Sequence, residues 1–403
     1  MPNKRPERGE DGNMYAWHFT EMPYPDHPDP DTVPSVRVSL PNKHFDPKLG
    51  ADLYNRYLDE HMLADELGLN IMLNEHHQTV TCLDVAAPLA AAILARQTSK
   101  ARICILGNPM ANRADPVRIA EEMAMVDCIS RGRLDVGFVR GVPYELFASN
   151  TNPTQTLERL WEGIDLCVKA WTHREGCFNF EGKFWHKRSV NIWPTPYQQP
   201  HPPVWITGSS DKENIREVAR RGFTFAMFLQ PYEKVKEMFD AYRGSTIYDD
   251  PEEARRHIAY MPLVATGETE EEALGFAKKV AWYLGAKTAP QFRNPPGYVP
   301  ISFNVSALKG GYAGRTDAVR ARGIDYLKEQ GVMMFGTPDQ VFEQVKAFYG
   351  HVGGFGQLLM MQQAGHLSHE ETVKSMTLFA REVYPRIREE FAFKPANKGA
   401  AAQ

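Results

Sequence analysis

Apolar and polar positions along this chain alternate between two patterns. MYAWHFT, LNIML, RICILG, RLDVGFV, VWITG, FTFAMF, HIAYMPLVAT and GQLLMM are short, nearly continuous apolar runs. Strands of a parallel sheet read this way because both of their faces are buried. Between them lie segments with apolar residues at helical spacing: 53–67, 88–97, 116–130, 156–171, 211–222, 268–284 and 337–352, with a closing helix over 373–391. FNFEGKFWHKRSVNIWP, between the fourth and fifth runs, reads as a small β excursion. Eight strands alternating with helices predict an α/β fold, a TIM (β/α)8 barrel with insertions. An open doubly wound sheet is the runner-up. That fold announces itself by a Gly-rich turn after its first strand, and none is present.

Length agrees with a single barrel domain over 13–395, with loose tails at 1–12 and 396–403. A stretch rich in Gly, Pro and aromatics at 287–317 interrupts the last units and reads as an insertion or lid. A hydrophobic fraction of 43% and a charged fraction of 24% describe a globular protein. A net charge of −4 provides no basic field for nucleic acid or an anionic membrane. Five scattered cysteines without a C-x-x-C pair argue against a disulfide framework or zinc ribbon and point to a reducing cytoplasm. The N-terminus has no signal-peptide core, and no run is long enough to span a bilayer.

In a barrel, chemistry sits where strands end. The second strand ends in Glu75, His76 and His77. On an extended chain adjacent histidines point to opposite sides, which suits one metal ion poorly, and no H-E-x-x-H is present, so no metal site is predicted. A solvated loop is the plainer alternative. The third strand ends in Gly107, Asn108 and Pro109, where a glycine allows close approach by a ligand or simply makes a turn. Arg140 and Gly141 end the fourth, setting a guanidinium fork beside permissive backbone. Gly208, Ser209 and Ser210 follow the fifth at a helix start, where an anion would be welcome; plain capping by Ser210 or Asp211 is the alternative. His366 and His369 are read as structural or surface residues. Trp17, Phe19, Tyr144 and Phe228 are candidates for an apolar pocket or for core packing.

Three of these segments, NEHH, RICILGNPMANRADPVRIAEEMAMVDCISRGRLDVGFVRG and VWITGSS, resemble the bacterial luciferase-like flavin-dependent monooxygenases, as does the final GGFGQLLMMQQAGHLSHEETVKSMTLFAREVYP. The similarity runs from about Met14 to Pro385. It implies a barrel that binds FMN, with His76 as the catalytic histidine flanked by Glu75 and His77. Arg140, Ser209 and Ser210 would hold the flavin phosphate, and a non-proline cis peptide would lie at Gly107–Asn108. The implied activity is insertion of one oxygen atom from O2 into a small apolar organic substrate, by Baeyer–Villiger oxidation, hydroxylation or epoxidation. A separate NAD(P)H:flavin reductase would supply the reduced FMN, and the protein would be a homodimer through helices of the second and third units. A deazaflavin-dependent hydride-transfer enzyme and a non-catalytic flavin-binding subunit are the alternatives, with a metal-dependent hydrolase behind them.

Overall fold

The computed structural model describes residues 14–208, 211–285, 297–298 and 315–393. Its central sheet runs through β1 (Tyr15–Thr20), β2 (Asn70–Leu73), β3 (Ile103–Pro109) and β4 (Leu134–Val139). The hairpin β5 (Phe178–Glu181) and β6 (His186–Val190) stands apart as the small antiparallel excursion read in the sequence. The sheet resumes with β7 (Val204–Thr207), β8 (Thr224–Phe228) and β9 (Ile258–Met261), then β10 (Leu263–Thr266), β11 (Met333–Gly336) and β12 (Gln357–Gln363). The order β1-β2-β3-β4-β7-β8-β9-β12 closes through parallel pairing of β12 with β1, from Tyr15↔Gln357 onward. This is a parallel TIM barrel.

Two strand assignments differ from the pattern. The run HIAYMPLVAT is two strands, because Pro262 has no N–H for the ladder. β9 pairs with β12, whereas β10 touches β12 only at Leu263↔Met361 and pairs with β11 instead. β11 is the strand absent from the sequence reading; its four residues MMFG are too short to show a period.

Strand residues divide by parity. Ile71, Ile103, Val136, Ile206, Phe225 and Leu358 pack outward under the helices, while Trp17, Phe19, Met72, Leu106, Trp205 and Met361 fill the barrel. Of the candidate pocket aromatics, Trp17 and Phe19 are therefore barrel core. At the N-terminal end of the barrel the Trp17 indole donates to Gln357 Oε1 at 2.8 Å and meets Trp205 edge-on at 5.4 Å. Trp205 donates to Asp135 Oδ2 at 3.1 Å, and the other oxygen of Asp135 pairs with Arg102.

The helix layer begins with α1 (Pro47–Glu66), α2 (Ala87–Gln97) and α3 (Pro116–Ser130), followed by the short α4 (Glu145–Ala148), then α5 (Thr156–Thr172) and α6 (Lys212–Arg220). Asp46, Asp115 and Asp211 cap α1, α3 and α6 through their carboxylates. The closing helix is not continuous. His369–Leu378 and Tyr384–Glu390 are joined by a π turn over Phe379–Val383, next to Pro385, which cannot donate to the preceding turn. The two tails, Ser209–Ser210 and nearly all of 287–317 lie outside the described residues.

Candidate active site

Parallel strands bring all their C-terminal ends to one rim. β1 to β4 and β7 are consecutive neighbours there, so the candidate residues form an arc rather than a scatter. Glu21 follows β1, Asn74 to His77 follow β2, Gly107 to Pro109 end β3, Arg140 and Gly141 follow β4, and Gly208 follows β7.

His76 is tied to a residue that sequence spacing did not single out. Its Nδ1 lies 3.0 Å from Glu145 Oε1, and the same oxygen accepts the His77 backbone N–H at 3.0 Å. Glu145 opens α4, in the loop after β4, and is almost fully buried. Its second oxygen, Oε2, is buried without a partner. Burial alone would pull the His76 imidazole down. The hydrogen bond and charge of Glu145, with the charge of Glu21, outweigh it, and Arg37 opposes them; His76 is held above its ordinary value. Donation from Nδ1 to Glu145 leaves Nε2 as the reactive nitrogen.

The flanking residues play a different part. Glu75 Oε1 pairs with Arg113 and lies 3.1 Å from His77 Nε2, and Glu75 Oε2 accepts from Ala87 N at the start of α2 at 3.3 Å. Glu75 and His77 thus anchor the loop to the start of α2 and to the segment before α3, while the His76 side chain turns toward Glu145.

Behind them stands a second set of buried polar groups. Asn74 Nδ2 donates to Glu21 Oε2 at 2.8 Å. Burial raises the Glu21 carboxyl, against the pull of His76, Asn74 and Arg37. Asp84, whose Oδ2 has no partner, is pushed up to about 7 by burial and the charge of Glu75. The Tyr144 hydroxyl is buried and unpartnered, its pKa raised by burial and by Glu145. Glu21, Asn74, Asp84, Tyr144 and Glu145 come from three separate loops, so no single local motif marks them. Asn74 had been noted within NEHH and Tyr144 for its ring.

Along the other half of the arc, Arg140 donates to Thr156 Oγ1 at 2.8 Å and to the Tyr298 carbonyl at 2.7 Å. Its guanidinium lies 4.2 Å from the Tyr298 ring centre, and it has no carboxylate within ion-pair reach among the described residues. Gly141 has a φ of +89°, and a Cβ there would come within 2.6 Å of Asn112 Nδ2. Both polar side-chain atoms of Asn112 are buried and unpartnered, as is Asn108 Oδ1. At Gly107 a Cβ would overlap the Gly137 carbonyl at 2.8 Å. The cis peptide is Leu106–Gly107, one bond before the expected Gly107–Asn108; β3 and β4 shift register between Ile105 and Asn108, and Gly107 passes the bulge against Gly137. Gly208 is described, and Asp211, not Ser210, is seen capping α6.

His366 and His369 belong elsewhere. His366 Nε2 lies 3.3 Å from His27 Nε2, and His369 meets Glu60 at 3.1 Å. No group of side chains suited to a metal ion occurs among the described residues. No helix among them is long and apolar enough to cross a membrane. A groove of about 520 Å³ along the helix His369–Leu378 is remote from the arc; a pocket of about 390 Å³ between 36–45 and 78–83 borders it.

Residues 37–354 match the family model described as luciferase-like monooxygenase. Over 158 residues, 38% of this chain and 43% of the other, the sequence is 32% identical to the oxygenase component of a flavin-dependent trigonelline monooxygenase from Acinetobacter baylyi. It is 25% identical to an FMNH2-dependent dimethylsulfone monooxygenase from Pseudomonas putida, across 89% of this chain and 94% of that one. Its fold matches the oxygenating constituent of 3,6-diketocamphane monooxygenase from Pseudomonas putida, solved with FMN, at a TM-score of 0.67 and 18% identity over 93% and 98% of the two chains. An F420-dependent secondary alcohol dehydrogenase has the same fold at a TM-score of 0.65 and 14% identity, over 93% and 99%.

Proposed function

The chain belongs to the luciferase-like monooxygenase family, a family of flavin-dependent enzymes, and from that premise we propose that it is the oxygenase component of a two-component FMN system. The observation that carries this reading is the His76–Glu145 pair standing beside an arc of unpartnered polar groups. Those groups fit a flavin. Arg140, with Gly141, Gly208, Ser209 and Ser210, would hold the phosphate. Gly107 and Asn108 would lie against the ring, where a missing Cβ and an unpartnered amide oxygen leave room and an acceptor. Reduced FMN, when bound, supplies the electrons that activate O2 for transfer of one oxygen atom.

The chain's own residues do the rest. His76 holds or delivers a proton at Nε2, with Glu145 fixing its tautomer and charge. Glu75, Arg113 and His77 lock the loop that carries it. The substrate is a small organic molecule, and its oxidation is a Baeyer–Villiger insertion or a hydroxylation or epoxidation. No G-x-G-x-x-G turn is present for a dinucleotide, which supports supply of reduced FMN by a separate NAD(P)H:flavin reductase in the cytoplasm. Val85, Leu89, Ile93 and Met125 leave an apolar stripe on the outside of α2 and α3, with Leu89 69% exposed, and this face is our candidate for a homodimer contact.

Anaerobic titration with reduced FMN, followed by rapid mixing with oxygenated buffer, tests the proposal. The expected result is saturable binding and a visible-absorption transient that decays more slowly than free flavin reoxidises, shortened in His76→Ala. Failure to bind reduced FMN together with tight binding of a deazaflavin would favour the hydride-transfer reading, which the F420-dependent structural neighbour keeps open. An oxygenase whose turnover survives His76→Ala intact would favour a non-catalytic subunit.

A further inference from the structure

Two rim carboxylates are ion-paired, whereas two rim arginines, Arg140 and Arg37, have no carboxylate within ion-pair reach among the described residues. Glu145 is taken by His76, and Glu75 by Arg113 and His77. Glu21 accepts from the Asn74 amide. The Arg37 guanidinium donates to the Thr81 hydroxyl at 3.3 Å and to the Tyr283 carbonyl at 2.7 Å, and it lies 4.6 Å from the Tyr283 ring centre. On its inner side the fork also meets the Tyr283 side chain, which in turn bonds Glu21. A largely enclosed guanidinium on a pocket wall offers an anion a charge-assisted partner.

Arg37 also lines the pocket of about 390 Å³ that borders the arc. That volume is in the range of small-molecule sites. Tyr24, Val36, Leu40, Phe45, Val80 and Leu83 give it apolar walls, and no Asp or Glu lines it among the described residues. Gln78 and Thr79, which also line it, continue the loop that carries His76. On its other side Arg37 faces Tyr283, Tyr144 and Glu21. The guanidinium thus stands between a chamber with no Asp or Glu among its described lining residues and His76.

We infer that this chamber is the organic-substrate site and that its ligand is a monocarboxylate with a compact apolar body, its carboxylate seated on the Arg37 fork. This rests on the oxygenase reading for its role in catalysis, but its test does not need flavin. Octanoate and octanamide share size and apolar body and differ in charge. Isothermal titration of the full-length protein with each, at pH 7.5 and without flavin, should give octanoate at least about tenfold tighter than octanamide, since an Arg–carboxylate pair is charge-assisted and can be bidentate. In Arg37→Gln the preference should vanish while octanamide binds as before, and Arg37→Lys should keep a reduced preference because a point charge replaces a fork. Equal affinities in the wild-type protein, or a preference that survives Arg37→Gln, would overturn the assignment. The wild-type comparison stands even if a variant fails to fold. Binding of reduced FMN is measured separately, so loss of the oxygenase reading and loss of this one give different results.

Discussion

At the closed end of the barrel the Trp17 and Trp205 indoles and both oxygens of Asp135 have partners, and of that cluster Arg102 Nε alone has none among the described residues. At the open end the Tyr144 hydroxyl, Glu145 Oε2, Asp84 Oδ2, Asn108 Oδ1 and the whole Asn112 amide are buried without any. The two ends are built from the same eight strands and are similarly buried. The difference teaches what each is for. A buried polar atom left unsatisfied costs about 1–3 kcal/mol, so a fold keeps several together only where a ligand completes them. The closed end holds the barrel shut, and the open end waits for its ligands.

The sharpest way to separate the ends is to cut one group at each. His76→Ala should lower oxygenation by about 10²–10⁴-fold, as for loss of a positioned acid–base, with reduced-flavin affinity and melting temperature nearly unchanged; a stopped-flow turnover assay and a thermal melt read both. At the opposite end, Asp135→Asn leaves Arg102 with no charged partner and should lose about 3 kcal/mol of unfolding free energy in a urea titration, while turnover per folded molecule stays near wild type. Should the Asp135 variant lose turnover instead of stability, the division between the ends would not hold.

Smaller changes refine the open end. Glu145→Gln keeps the shape but removes the charge that holds His76 up. Sign matters here. A raised imidazole stays protonated to higher pH, so the limb of the pH–rate profile belonging to His76 lies above 6.5 in the wild type and moves down in the variant, with kcat falling about tenfold. An unmoved limb would mean that Glu145 serves the loop and not the proton. Least of all, Tyr144→Phe removes a hydroxyl that has no hydrogen-bond partner among the described residues. Stability should stay level or rise by up to about 1 kcal/mol, whereas a fall of more than that would show a partner at the hydroxyl.

Much of the barrel was legible because its signals are local. A buried parallel strand is a continuous apolar run, and Asp211 was read as a cap of α6, whereas α1 was read only from residue 53 and starts at Pro47 behind its cap Asp46. β11 was lost because four residues carry no period, and the break at Pro262 was read through because the flanking runs are both apolar. Of the proposed site, His76, Gly107 and Arg140 were read at strand ends, and the structure places them at or just past the ends of β2, β3 and β4. Glu145 was missed because it reaches His76 across 69 positions of chain. That contact is fixed by the side-by-side order of β2, β3 and β4, and no residue spacing encodes it. Glu21, Asp84 and Arg37 were missed for the same reason, each sitting in a loop of unremarkable composition. Ser209 and Ser210 fall outside the described residues, so their assignment rests on the family alone.

The base of the barrel, where the Trp17 and Trp205 rings meet edge to face, is packed shut. On the proposed function everything that reacts arrives and departs at the opposite rim, which imposes a queue. A reactant that goes deepest must enter first and leave last. An organic molecule that arrives early blocks the way behind it, so initial rates should bend downward at high organic substrate and recover as the concentration of reduced flavin rises.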